Sequence, residues 1–161
     1  MPSPATFDYK KLDWMNGVYL RELQPDEYAH WLCKWLEARG VDWPTTTVHA
    51  TVPLVQEKIE KFSQYPDFVR FLFEDVSPDG ADPRICGAAL ERLRGLDEWE
   101  ASRLEEELRG LAEELGEKPR NAFQPIRLAI TGSKISPGLF ESMELLGRDT
   151  SLARLSACAA A

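Results

Sequence analysis

The sequence predicts a protein that is mostly or entirely α-helical. Apolar residues recur at helical spacing in several segments, and Pro, Asp and Gly stand where helices begin and end. No segment shows the sustained alternation of apolar and polar residues that is typical of a strand. With 161 residues, 43% of them hydrophobic, the chain can bury one sizeable core or two small ones packed together.

Two helices are expected near the N-terminus. Asp8 is a candidate N-cap for the first, Pro25 opens the second, and Gly40 ends it. The second helix has one apolar face, which is formed by Tyr28, Trp31, Leu32, Trp35 and Leu36.

A third helix is expected from about Val48 to Tyr65. Pro53 should kink or restart it, because proline lacks the amide proton that an interior helical turn needs. Its inward side chains would be Val52, Val55, Ile59 and Phe62. Tyr65-Pro66-Asp67 then indicates a break before a short apolar segment, FVRFLF.

The middle of the chain predicts a loop followed by two helices. The loop is EDVSPDGADP at 74–83, which is rich in Asp, Pro and Gly and suits a subdomain boundary. A helix is expected over 85–96, and a strongly amphipathic one over 98–115 with Gly116 at its end. The apolar stripe of the second is formed by Leu104, Leu108, Leu111 and Leu115.

Three shorter helices are expected at the C-terminal end. The first covers 123–131, and the second begins at Ser136 and ends at Gly147. The last would follow Asp149 or Thr150 as its cap.

Charge is distributed unevenly along the chain. The formal net charge of −8 argues at first against a nucleic-acid partner, because phosphate binding needs a positive surface. Residues 74–116 hold 5 basic and 13 acidic groups, whereas residues 117–155 hold 6 basic and 4 acidic groups. The C-terminal segment can therefore carry a local basic face on an acidic body.

The cysteines and the hydropathy predict neither a metal site nor a membrane segment. Cys33, Cys86 and Cys158 are far apart and form no CxxC pair, so we expect buried free thiols. There is no run of about 18 apolar residues, and the N-terminal sequence lacks the layout of a signal peptide. The simplest expectation is a cytoplasmic protein.

No self-contained active site is predicted. The sequence has no GxxxxGK[ST], GxGxxG or HExxH motif, and we interpret His30 and His49 as surface or packing residues. We therefore expect no catalytic residues and no metal ligands.

The most informative segment is TGSKISPGLFE, near the C-terminus. Arg127 lies in the helix before it, and Ser136 and Pro137 are expected to cap and open the next helix. Gly138 is not needed there, since glycine costs up to about 1 kcal/mol against alanine in a helix interior. The residues leave two interpretations: a compact helix–helix corner, or a helix N-terminus that binds phosphate or an unstacked base beside Pro137 and Leu139.

Three segments of the chain also form a familiar set. They are FDYKKLDWMNGVYLRE (7–22), VPLVQEKIEKFSQYPDFVRFLFED (52–75) and FQPIRLAITGSKISPGLFESMELLGRDTSLARL (123–155). In this order and separation they resemble the C-terminal half of bacterial-type glutamyl-tRNA synthetase. The resemblance implies the end of a stem-contact region at 1–22, followed by two packed helical anticodon-binding subdomains at 23–73 and 74–161.

The resemblance further implies that the chain binds the anticodon loop of tRNA-Glu. The positions carried over are Arg127, Ser136, Pro137, Gly138, Leu139 and Lys58. Arg127 would contact the anticodon, and the segment 136–139 would form the surface against which its bases are read. Lys58 stands where the family often has Arg, at a position that helps to separate glutamate from glutamine anticodons. Arg presents a planar fork of donors and Lys a single ammonium, so strict discrimination is left open.

The resemblance places the chemistry outside these residues. The family's HIGH-like and KMSKS-like nucleotide-binding motifs do not occur in the sequence, so we expect no ATP site and no aminoacylation by this chain alone. ATP would be used by the catalytic domain of the parent synthetase, which is an expected partner of this chain. We expect the chain itself to be a monomer. The alternative is a freestanding helical adaptor that binds protein, which the net charge and the acidic middle helix favour.

Overall fold

A computed structural model describes residues 17–161 and divides the chain into two compact units, Met1–Val69 and Arg70–Ala161. All regular elements in the described residues are helices, which confirms the all-α prediction. The helix expected after Asp8, and most of the predicted stem-contact segment, lie outside the described residues. The division at 22/23 and 73/74 stays a prediction.

The helices of each unit are short and follow one another closely. The first unit contains α1 (Gly17–Glu22), α2 (Pro25–Ala38), α3 (Thr45–Val55), a 3-10 turn (Phe62–Gln64) and α4 (Tyr65–Val69). The second contains a 3-10 turn (Arg70–Leu72), α5 (Pro83–Arg94), α6 (Ala101–Glu114), α7 (Pro119–Thr131), α8 (Leu139–Leu146) and α9 (Arg148–Ala159). None of the helices in residues 17–161 is long and apolar enough to cross a membrane.

The largest fully buried side chains in the core of the first unit are aromatic. The Phe62 ring packs edge-on against Tyr28, with ring centroids 5.3 Å apart, and lies 6.5 Å from the ring of Trp35. The hydroxyl groups of Tyr65 and Thr51 share a hydrogen bond of 2.8 Å inside this core. Each of these large rings buries a large apolar area, which stabilises a unit that contains only a few turns of helix.

The third helix is shorter than predicted. α3 ends at Val55, two residues after Pro53, and is followed by a turn. Gln56 begins this turn, and its Nε2 donates to the carbonyl oxygens of Leu20 at 3.0 Å and Leu23 at 2.8 Å. Leu20 lies in the last turn of α1 and Leu23 directly follows that helix, where carbonyls commonly need partners from outside the helix. The Gln56 side chain thus joins the turn after α3 to the end of α1, where the sequence pattern predicted more helix.

Two other features of the first unit differ from the prediction. Trp31 was assigned to the apolar face of α2, but 41% of its surface is exposed. Pro66 was interpreted as a break, but it lies in the first turn of α4, where its missing amide proton leaves no helical hydrogen bond unmade. The other predicted core residues of α2 and α3 are buried as expected.

Aliphatic side chains fill the core of the second unit. Its buried members from four helices include Ile85, Leu93, Leu104, Leu108, Ile126, Ile130 and Leu155. α5 and α9 approach each other closely at Gly87, where an added Cβ would lie 3.6 Å from the Cβ of Ala159. The predicted loop before α5 is confirmed, and Asp82 caps the helix by accepting a hydrogen bond of 2.9 Å from the Arg84 amide.

The last three helices define the region in which the candidate site lies. α7 begins at Pro119, four residues before the predicted start, because Pro119 is well suited to the first helical position. α9 begins at Arg148 directly after Gly147, earlier than the predicted cap at Asp149 or Thr150. Trp99 ties the end of α8 to the segment before α6, since its Nε1 donates to the Met143 carbonyl at 2.8 Å.

Candidate functional site

The α7–α8 loop, residues 132–138, begins at a glycine that the backbone requires. Gly132 ends α7 in the left-handed conformation with φ of +69°, and its amide donates to the Leu128 carbonyl at 2.9 Å. A Cβ added here would lie 3.0 Å from the Cβ of Val76. Conformation and space therefore both select glycine, as the predicted helix end at Gly132 anticipates.

The first half of the loop is held by side-chain hydroxyl groups. The Thr131 hydroxyl lies 2.8 Å from the Arg127 carbonyl and 2.9 Å from the Ser133 carbonyl, and its oxygen accepts from the Ser133 amide at 3.2 Å. The Ser133 hydroxyl accepts from the Ile135 amide and donates to the Ile135 carbonyl, both at 3.0 Å. These bonds give the loop one defined path.

The second half of the loop is held by Arg127. Its Nη1 donates to the hydroxyl of Ser136 and, at 2.8 Å, to the carbonyl of Pro137. The Ser136 hydroxyl lies 2.9 Å from the same carbonyl. Arg127, Ser136 and Pro137 thus meet at one point, as the sequence predicts, and the guanidinium acts as a brace between α7 and the loop.

Arg127 is a half-buried cation. Burial lowers the pKa of its guanidinium, and the nearby Glu141 carboxylate opposes that shift. Arginine nevertheless stays charged at neutral pH. The result is a positive charge whose position is fixed by the fold before any ligand arrives.

The start of α8 differs from the prediction. The helix begins at Leu139 with Gly138 as its N-cap residue, whereas Ser136 was expected to cap it and Pro137 to occupy its first position. Ser136 does not cap the helix, because its hydroxyl is engaged by Arg127 and Pro137. The segment 136–138 therefore belongs to the loop, and α8 begins directly after it.

Gly138 makes room for a group of its own helix. Its φ of −49° is open to any residue, but an added Cβ would overlap the carboxylate of Glu141, with the Glu141 Cδ at 3.1 Å. A carboxylate beside the first turn of a helix is favoured by the helix dipole. The close approach that Gly138 permits in this structure is thus made by Glu141, an answer that neither sequence-based interpretation contained.

Pro137 and Leu139 lie beneath the surface. Pro137 is buried, and Leu139 is 3% exposed and belongs to the aliphatic core of the second unit. Little of either side chain is exposed in this structure, and the role that the sequence analysis assigned to them stays a prediction. Among the loop residues the exposed positions are Gly132, Lys134, Ile135 and Gly138. Ile135, which is 74% exposed, was not predicted as a site residue.

An aromatic pair joins α7 to the start of α8. The rings of Phe123 on α7 and Phe140 on α8 pack edge to face with centroids 5.2 Å apart. The Arg109 guanidinium carbon lies 5.7 Å from the centroid of the Phe123 ring. Three helices are thereby fixed at the point where the loop enters α8.

Lys58 lies in the first unit, in the turn after α3 rather than in the predicted helix. Its side chain is exposed, and its amide donates to the Val55 carbonyl at 2.8 Å. The other five predicted site residues lie in the second unit. The roles assigned to all six stay predictions.

Residues 17–161 contain no group of three or more His, Cys, Asp or Glu side chains that could hold a metal ion. The three cysteines are free thiols, of which Cys86 and Cys158 are buried and Cys33 is partly exposed.

Comparison with known proteins identifies similar chains. Residues 26–159 match the family model described as "Anticodon binding domain". The chain is 43% identical over 178 residues to a glutamate–tRNA ligase of Acidothermus cellulolyticus, which covers 99% of this chain and 35% of that protein. It is also 43% identical over 169 residues to the glutamate–tRNA ligase of Rhodococcus jostii, with 95% and 34% covered. The chain spans about a third of the length of these curated relatives.

Solved structures share the fold. A crystal structure of a glutamate–tRNA ligase from Elizabethkingia meningosepticum, in complex with its amino acid, matches with a TM-score of 0.75 and 20% identity. The match covers 96% of this chain and 32% of that one. The glutamate–tRNA synthetase of Elizabethkingia anophelis matches with the same TM-score and 19% identity.

Proposed function

The chain belongs to the anticodon-binding domain family of the glutamate–tRNA ligases, and we propose that it binds the anticodon loop of tRNA-Glu. The attachment of glutamate with ATP would be carried out by a catalytic part of a ligase that these 161 residues do not include. Energy from anticodon contacts would orient the distant acceptor end, as binding energy commonly does in enzymes that act on large substrates. The setting would be the cytoplasm, where tRNAs are read.

The observation that supports this proposal most strongly is the position of Arg127. A half-buried guanidinium donates to Ser136 and Pro137 from below, and Nη1 is the donor in both hydrogen bonds. The fork of an arginine carries five donors, so others are left for a phosphate or a base edge. Single-stranded RNA loops are recognised by such fixed donors beside exposed apolar surface.

Net acidity does not exclude an RNA partner. Part of the negative charge is paired within α6, where Arg103 contacts Glu106 at 2.7 Å and Arg109 contacts Glu105 at 2.9 Å. The acidic middle helix had favoured a protein-binding adaptor, but these intrahelical ion pairs make its charge less available to a basic protein surface. The segment with a positive balance is the one that contains Arg127.

The proposal is tested by RNA binding with matched variants. Stem-loop RNAs with the glutamate anticodon and with an altered anticodon are titrated with the 161-residue chain at low salt. We expect a preference for the glutamate anticodon, and we expect Arg127→Ala to weaken binding by about tenfold and reduce the preference, as loss of a good base contact does. Arg120→Ala is the control, because Arg120 is exposed on the same helix and the variant changes the net charge equally.

Two outcomes would contradict the proposal. One is the absence of binding to either RNA at low salt, which would favour the adaptor. The other is an equal effect of Arg127→Ala and Arg120→Ala on both RNAs, because it would reduce Arg127 to one charge among several. Circular dichroism of each variant checks that the fold is retained.

A further inference from the structure

Ile135 is the most exposed large apolar side chain in residues 19–161. It is 74% exposed, compared with 46% for Tyr19 and 41% for Trp31. Exposed aliphatic residues are common singly on protein surfaces and need no explanation by themselves. The backbone around Ile135 is what makes this position informative.

The loop fixes Ile135 from both sides. On one side the Ser133 hydroxyl binds both the amide and the carbonyl of Ile135 at 3.0 Å. On the other side Arg127 holds the next two residues, Ser136 and Pro137, through a single guanidinium nitrogen. An apolar side chain is therefore presented to solvent by a backbone with little freedom left to lose. Such preorganisation lowers the entropy cost of binding a ligand.

The charge around Ile135 indicates what kind of ligand fits. Lys134 is exposed directly beside it, and the Arg127 cation lies under the same loop. The nearby carboxylate of Glu141 is folded over Gly138, at the first turn of α8. A ligand for this loop thus needs an apolar face next to a negative charge. A nucleotide of a single-stranded RNA loop has both, since its base is flat and its phosphate is anionic.

We propose that Ile135 is the apolar contact on which one unstacked base of the RNA loop packs, while Lys134 pairs with an adjacent phosphate. Pro137 and Leu139, to which the resemblance assigned such a contact, are buried in this structure, so Ile135 is the apolar side chain of this loop that a base can reach. This inference rests on the proposed function and specifies one of its contacts. Ile135 would add affinity for a base at one loop position, without hydrogen bonds that read the base edge.

The test compares three variants of the 161-residue chain against the glutamate anticodon stem-loop. We expect Ile135→Ala to raise Kd about fivefold to tenfold, because packing under a base removes part of the isoleucine surface from water, and Ile135→Leu to keep Kd within about twofold. Lys134→Ala should lower the slope of log K against log salt by about 0.7, whereas Ile135→Ala should leave the slope unchanged. Thermal unfolding of Ile135→Ala should match the parent, because the side chain is exposed.

Stem-loops that lack one loop base locate the contact. With the base removed at the contacted position, the chain and its Ile135→Ala variant should bind equally, while removal elsewhere should preserve their difference. An equal loss at every position would overturn the inference, because Ile135 would then act through the shape of the loop.

Other outcomes separate this inference from the proposed function. If the chain prefers the glutamate anticodon through Arg127 but Ile135→Ala binds like the parent, the inference fails and the proposed function stands. If no stem-loop is bound at low salt, both fail. If RNA affinity is unchanged and Ile135→Ala sediments as a smaller particle than the parent, Ile135 belongs to a protein contact instead.

Discussion

The α7–α8 loop of the second unit and the Lys58 turn of the first unit are both predicted to contact the anticodon. They differ in how their backbones are held. The loop is fixed by side chains: hydroxyl groups bind its backbone, and Arg127 braces Ser136 and Pro137. The turn at Lys58 is held by backbone hydrogen bonds to the Val55 carbonyl and by the side chain of Gln56, and the lysine itself is exposed.

This difference separates two ways of contributing to recognition. In the loop, Arg127 would serve the ligand and also holds the backbone, so its replacement should alter stability and binding together, whereas replacement of the exposed Ile135 should alter binding alone. At Lys58 a flexible, strongly hydrated ammonium contributes mainly charge, and its removal leaves the fold as it was. Measuring stability and binding on the same variants therefore distinguishes a built contact from an electrostatic one.

The largest effect is expected from Leu139→Ala. The leucine is 3% exposed in the aliphatic core, so its truncation leaves a cavity and should lower the free energy of unfolding by about 2 to 5 kcal/mol. Urea unfolding followed by circular dichroism measures this loss. Ile135→Ala, four residues earlier and exposed, is the control and should change the unfolding free energy by less than about 0.5 kcal/mol. Similar losses for both variants would contradict the assignment of Leu139 to the core.

A smaller loss is expected from Gly132→Ala. An alanine at φ of +69° costs about 1 to 2 kcal/mol in conformational strain, and its Cβ would also press on Val76 at 3.0 Å. Gly116→Ala is a matched control, since Gly116 ends α6 with φ of +66° and has no atom within 4 Å of an added Cβ. The excess loss in Gly132→Ala over Gly116→Ala measures the contact with Val76. Equal losses in the two variants would mean that Val76 yields without cost.

Local sequence signals predicted the helices well because their causes are local. The stripe of Leu104, Leu108 and Leu111 is buried as its spacing predicts, and Gly132 ends α7 where the pattern placed the end. The helix predicted to reach Tyr65 stops at Val55, and the side chain of the next residue, Gln56, bonds to carbonyls at the end of α1, more than thirty residues away in the sequence. No local pattern reports such a contact.

The sequence predicted which residues of the candidate site lie close together, but not which of their side chains are buried. The sequence, through the resemblance, brings Arg127, Ser136 and Pro137 to one location, and the structure gives them shared hydrogen bonds. Which side chains of the segment face inward depends on how the loop folds back onto α7. Leu139 and Ile135 are both aliphatic, so composition alone cannot separate the buried one from the exposed one.

A modest effect on binding alone is expected from Lys58→Ala. Loss of one cation near RNA should lower the salt slope by about 0.7, and the unfolding free energy should change by less than about 0.5 kcal/mol. Lys58→Arg keeps the charge and adds a planar fork of donors, so it should increase the preference for glutamate over glutamine anticodon stem-loops. If Lys58→Ala unfolds more easily by 2 kcal/mol or more while binding is unchanged, the turn is structural and the contrast with the loop disappears.

The smallest effect is expected from Gly138→Ala. The added Cβ meets the end of a flexible carboxylate side chain, and the φ of −49° suits alanine, so Glu141 can turn away at little cost. The unfolding free energy should change by less than about 0.5 kcal/mol, and Glu141→Gln supplies a background in which that carboxylate charge is already gone. If Gly138→Ala weakens binding of the anticodon stem-loop while stability is retained, the space above Gly138 belongs to the RNA in the complex and Glu141 occupies it only in the free chain. If binding and stability are both unchanged, Gly138 is needed neither for RNA binding nor for folding. The loop would then depend on the hydrogen bonds that Arg127 donates to Ser136 and Pro137.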